Sequence, residues 1–70
     1  MERTNRMKRI LKLLEKHPEG LTMEDFILNL GVTRQTITMD LRELIGSGKV
    51  RKREVGSGVI YYLKEGKVKS

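Results

Sequence analysis

Apolar residues recur at Met7, Ile10, Leu11 and Leu14, the i, i+3, i+4, i+7 spacing of one helical face, and Leu13 widens that stripe. The spacing predicts a helix over Arg3–Lys16. His17-Pro18-Glu19-Gly20 ends it, because the residue before a proline avoids the α region and glycine accepts backbone angles closed to other residues. Thr22 stands three residues ahead of Asp25 and just before the apolar stripe Phe26, Ile27 and Leu30, so a short second helix is predicted to begin there under a threonine cap. Gly31 falls where a left-handed cap would close that helix, Val32 can tuck into the angle that follows, and Thr33 caps a third helix. Ile37, Leu41 and Leu44 again lie four and three residues apart, which carries the third helix from Arg34 to about Ile45, where Gly46-Ser47-Gly48 stops it.

Beyond that stop the period changes. Lys49–Val55 and Val59–Leu63 are rich in valine, isoleucine and tyrosine, with Gly56-Ser57-Gly58 between them, which predicts a β-hairpin. Alternation turns Val50, Tyr61 and Leu63 toward the helices and Arg51 and Arg53 outward, and leaves Tyr62 exposed or at an interface. The fold class is therefore α+β, three helices followed by a two-stranded hairpin, in one domain spanning residues 1–63. Residues 64–70 have no apolar pattern and are expected to form a basic tail that frays.

Composition narrows the function classes. Seventy residues support one small core, and with no cysteine there is neither a disulfide framework nor a thiolate metal site. No apolar run approaches the roughly 20 residues of a membrane span, and a soluble, cytoplasmic protein is expected. The formal charge is +6, and it is uneven: residues 1–32 carry six Lys/Arg against five Asp/Glu, whereas residues 33–70 carry nine against four. A polyanionic partner is implied, with the second half as its contact surface, but charge alone leaves DNA, RNA and an acidic membrane surface open. His17 is the single histidine and sits beside a proline, without the partners that a metal site or a catalytic base needs. No phosphate-binding glycine loop, paired acid set or nucleophile motif occurs, so neither enzymatic activity nor a cofactor is expected.

About three residues separate the second and third predicted helices, the spacing of a helix-turn-helix. The segment Leu30-Gly31-Val32-Thr33-Arg34-Gln35-Thr36-Ile37-Thr38-Met39-Asp40-Leu41-Arg42-Glu43-Leu44 resembles the corresponding motif of DeoR-type winged helix-turn-helix transcriptional regulators. The likeness extends back to Arg9–Leu14 and forward to Gly48–Arg53. It implies a domain that puts its third helix in the major groove of duplex DNA and rests its hairpin wing on the backbone or in the minor groove. Where the family commonly has two arginines, this chain has Thr38 and Met39, which suggests another target sequence or fewer phosphate contacts there; Leu28 is apolar where a polar residue is usual. Most members continue into an effector-sensing domain, for which this sequence has no counterpart, so no small-molecule effector is expected.

At 100° per residue, Leu41 and Leu44 lie within about 40° of Ile37, while Gln35, Met39 and Arg42 lie about 140–200° away and Thr38 sits on the flank near Arg42. These four residues are the candidates for base contact. Gln35 can pair with adenine N6 and N7, Thr38 and Met39 can touch a thymine methyl, and Arg42 can take guanine O6/N7 or a phosphate. Thr33 and Arg34, at the start of the helix, suit a phosphate oxygen. Arg51, Lys52, Arg53 and Ser57 are the wing's candidates for the backbone, although positive charge on an edge strand also serves simply to block aggregation. Asp40 and Glu43 would repel phosphate and are expected to be structural, Asp40 pairing with Arg34 or with a cation of the first helix. Met7, Leu11, Leu28 and Tyr62 are candidates for a homodimer interface, since two copies would read a two-fold site. Two other functions stay open: a protein-interaction module docking through Leu28 and Met39, and a binder of RNA or structured nucleic acid.

Overall fold

Three helices precede a hairpin in the computed structural model, which describes residues 2–64: α1 (Arg3–Lys16), α2 (Met23–Leu30), α3 (Arg34–Gly46), β1 (Val50–Val55) and β2 (Gly58–Leu63). The first helix has the bounds predicted for it, and the third runs one residue past Ile45. The strands pair antiparallel in the register Val50↔Leu63 through Val55↔Gly58. Gly58 is thus already strand, and the turn is the two residues Gly56 and Ser57 rather than three. The expected tail lies outside the described residues except for Lys64, whose N–H donates to the Lys49 carbonyl at 3.1 Å and extends the hairpin by one step.

Helix boundaries follow from local hydrogen bonding. At the start of α2 the Asp25 N–H donates to Thr22 Oγ1 at 3.3 Å while the Thr22 N–H donates to Asp25 Oδ2 at 3.0 Å, so two otherwise orphaned donors are satisfied reciprocally. Gly31 closes α2 at φ +69°, in the left-handed region that a Cβ disfavours, and its N–H donates to the Ile27 carbonyl at 2.9 Å. Val32 is half-buried in the bend that follows, and Thr33 caps α3 by accepting from the Thr36 N–H at 3.3 Å.

The core is one cluster: Ile10 and Leu14 of α1, Leu21, Phe26 and Leu30 around α2, Ile37, Leu41 and Leu44 of α3, and Val50 of β1. Tyr61 and Leu63 pack against it from β2, as alternation predicts, and the Tyr61 ring meets Phe26 edge to face at 6.2 Å. Every apolar stripe found in the sequence therefore converges on one volume.

Two features tie the elements together, and the first had no counterpart in the expected fold. Leu21 forms an antiparallel bridge with Tyr61, its N–H donating to the Tyr61 carbonyl at 2.9 Å and its carbonyl accepting from the Tyr61 N–H at 2.8 Å, so the link before α2 acts as a one-residue third strand and clamps the hairpin to the helices. Gly20 makes this possible. It holds φ +99°, and a Cβ there would lie 2.1 Å from Ile60 Cγ2. The second feature is Asp40, which is 1% exposed on the core side of α3. Arg6 of α1 forks onto it, Nε to Oδ2 and Nη2 to Oδ1, the latter at 3.1 Å. Of the two partners expected for Asp40, the cation of the first helix is the one found; Arg34 pairs elsewhere.

Candidate nucleic-acid interface

Burial of Ile37, Leu41 and Leu44 fixes the rotation of α3, and the opposite side carries Gln35, Met39 and Arg42, all exposed, with Thr38 half-buried on the flank. Met39 is 61% exposed. The four residues expected to face outward do share one side of the helix. That side offers a bidentate amide, a hydroxyl, a thioether and a guanidinium on a rigid rod about 20 Å long. Asp40 and Glu43 do not face it as free charges: Asp40 is held by Arg6, and Glu43 pairs with Arg3. The hydrogen bond that Arg6 donates to Asp40 raises the pKa of Arg6 above its ordinary value.

A cleft of about 300 Å³ opens where the N-terminal ends of α2 and α3 meet the hairpin tip. It is lined by Met23, Glu24, Arg34, Ser57 and Val59 among others, so the structure brings Arg34 and Ser57, two of the expected backbone contacts, into one place. Arg34 is engaged there by Glu24, Nη2 to Oε2 at 3.0 Å, in a pair exposed on both sides. Thr33 stands just before Arg34, but its hydroxyl oxygen is committed to the cap and to Thr36 Oγ1 at 3.0 Å. What this end can offer an anion is the Arg34 guanidinium and the first-turn N–H groups that no helix can satisfy internally.

Strand register divides the wing's charges. Arg51 lies opposite Tyr62 and Arg53 opposite Ile60, whereas Lys52 lies opposite Tyr61, the residue that packs on the core. Paired residues share a face, so Arg51 and Arg53 project from the outer side of the hairpin and Lys52 from the helix side. At the hairpin base, Ile45, Arg51, Lys52, Tyr62 and Lys64 help line an open hollow of about 380 Å³. The alternation sets the Cβ of Lys52 against those of Arg51 and Arg53, yet Lys52 is exposed and shares this hollow with Arg51, while Arg53 does not line it.

The residues expected at a dimer surface have different surroundings. Met7 and Leu11 pack partly against the core, Tyr62 is half-buried on the outer side of the hairpin, and Leu28 stands 82% exposed on α2. Among the described residues no three His, Asp or Glu side chains gather to hold a metal ion, and no helix is long and apolar enough to cross a membrane.

Comparison with known proteins agrees with this geometry. The chain is similar in fold to the solved structure of dissimilatory sulfite reductase D (DsrD), with a TM-score of 0.73 at 19% identity over 94% of this chain and 97% of that one. No curated protein matches it. A family model described as an HTH domain matches residues 6–57, from within α1 to the hairpin turn, and the chain belongs to that helix-turn-helix family.

Proposed function

We propose that this protein binds double-stranded DNA sequence-specifically, as a transcriptional regulator, with α3 in the major groove and the hairpin on the backbone or in the adjacent minor groove. The observation that carries this reading is the row formed by the exposed Gln35, Met39 and Arg42 with the half-buried Thr38 on its flank, bordered by the cleft that gathers Arg34 and Ser57. The row has the donors, acceptors and methyl-contacting groups that base edges require, and the cleft supplies cationic and N–H groups for a phosphate beside it. The DeoR-type pattern over residues 30–44 supports a regulatory role, exerted by occupying a site without any catalytic step. One such module makes few contacts, so two copies bind a two-fold site with half-sites about 10 base pairs or a multiple apart.

Selection from a random-sequence duplex pool at several salt concentrations tests this. The expected result is an enriched, symmetric motif whose affinity falls steeply with salt, and Gln35→Ala relaxes the preference at one position by about 1–3 kcal/mol. Salt-dependent binding without enrichment would replace sequence readout with an architectural or RNA-directed role. The exposure of Leu28 and Met39 favours a second reading, a protein-docking module. Salt-insensitive binding of a protein partner, with no measurable DNA affinity near physiological salt, would favour it over the first.

A further inference from the structure

A groove between α1 and α2 shares no lining residue with the α3 row, the cleft or the hairpin hollow. Arg9, Lys12, Leu13 and Lys16 of α1 and Asn29 and Leu30 of α2 line this groove of about 260 Å³. Arg9, Lys12 and Lys16 are three and four residues apart, so they stack along one side of α1 over about 10 Å. All three are exposed, and none forms an ion pair with a described residue. The lining contains no acid, and its apolar members are the half-buried Leu13 and the buried Leu30.

We propose that this groove docks an acidic, leucine-bearing segment of a partner protein, with carboxylates on Arg9, Lys12 and Lys16 and one apolar side chain against Leu13 and Leu30. Charge complementarity selects the occupant. A nucleic-acid backbone supplies the negative charge but nothing to cover the apolar floor. A second copy of this chain offers no matching row of free acids among its described residues: Asp40 and Glu43 are held by Arg6 and Arg3, Glu24 by Arg34 and Asp25 by the cap of α2, while the exposed Glu2, Glu15 and Glu54 each stand next to a cation in the sequence and Glu19 lies beside His17. The chain's own C-terminal residues 64–70 carry three lysines against one glutamate and would be repelled. An amphipathic helix with glutamates three and four residues apart matches the cation spacing on α1.

The experiment titrates the isotope-labelled full chain with a synthetic helical peptide of about fifteen residues, its glutamates so spaced on either side of one leucine, and follows backbone amide resonances. The expected shifts concentrate on Arg9–Lys16 and Asn29–Leu30. Affinity should fall on the order of tenfold in Lys12→Glu/Lys16→Glu, two exposed positions outside the core, and comparably when the peptide leucine becomes serine. The same variant should bind duplex DNA no more weakly than its lost positive charge predicts from the salt dependence, which separates this surface from the α3 face. Any of three results overturns the proposal: no binding, equal shifts at Arg51 and Arg53, or undiminished binding of the serine peptide, which would reduce the groove to a nonspecific cation stripe.

Discussion

For Asp40 the sequence leaves two partners open, Arg34 or a cation of the first helix, and Arg6 is the one that meets it. Asp40 lies three residues from Ile37 and four from Leu44, inside the apolar stripe of its helix, and Arg6 lies four residues before Ile10 inside another. Opposite charges set into two core-facing stripes are costly to bury singly and tolerable together, which is why each position is occupied as it is. What no pattern supplied was that the two stripes face each other there. Asp40→Ala is expected to lower Tm several-fold more than Glu43→Ala, because Glu43 belongs to an exposed pair worth little. The double substitution Arg6→Met/Asp40→Leu should recover most of the loss, since it removes both charges rather than stranding one. Equal effects of Asp40→Ala and Glu43→Ala in thermal melts would show the fork to be energetically idle. Gly20 answers to a different constraint. Gly20→Ala meets both the positive φ and Ile60 Cγ2 at 2.1 Å, so a loss of more than about 1 kcal/mol is expected in urea denaturation. Adding Ile60→Ala should relieve the collision and leave the backbone cost.

At the scale of elements, legibility tracked how local the determinant was. The start of α2 was readable because Thr22, Asp25 and the first apolar residue sit within a few positions of one another, and the same holds for Gly31 and Thr33. The bridge from Leu21 to Tyr61 was not, since its partners are forty residues apart and a single paired residue has no period to detect. The alternation of Arg51, Lys52 and Arg53 was readable from the strand period, whereas the hollow that Arg51 and Lys52 share was not. The cap of α2 also gives the domain a signature in acid. Hydrogen bonds from the Thr22 backbone N–H, and then from its hydroxyl, hold the Asp25 carboxyl below its ordinary value of 3.8. A folded-state pKa below the unfolded one means the unfolded chain binds the proton more tightly. The stabilisation is therefore complete above the unfolded value and is lost as pH falls through the folded one. Wild type should exceed Asp25→Ala in stability at pH 6, with the gap closing progressively below about pH 4. A gap independent of pH in denaturant titrations would assign the effect to helix propensity instead of the carboxylate.

Across the whole molecule, the uneven charge of the sequence acquires a geometry that residue counts could not give. The excess of cations after residue 32 is distributed over the end of α3, both faces of the hairpin and the cleft, while Asp40, Glu43 and Glu24 are engaged by Arg6, Arg3 and Arg34. Of these acids, Glu24 matters most for the proposed function. It sits in the cleft with Arg34 and Ser57, and its carboxylate occupies the guanidinium that a phosphate would need. The pair is exposed, so breaking it costs about 0–1 kcal/mol at most, and a phosphate can compete for Arg34. As long as Glu24 is charged, however, it also repels that phosphate. Glu24→Gln should therefore strengthen binding to the selected duplex several-fold at low salt and steepen the dependence of log K on log salt by up to about 0.9, the equivalent of one further phosphate contact. It should leave the enriched sequence unchanged, because the cleft positions the backbone and does not read bases. In an Arg34→Ala background the same substitution should retain only the smaller, long-range gain from removing a negative charge. If Glu24→Gln leaves both affinity and salt slope where they were, the backbone does not enter this cleft, and the approach of α3 to the groove would have to be set by the hairpin alone.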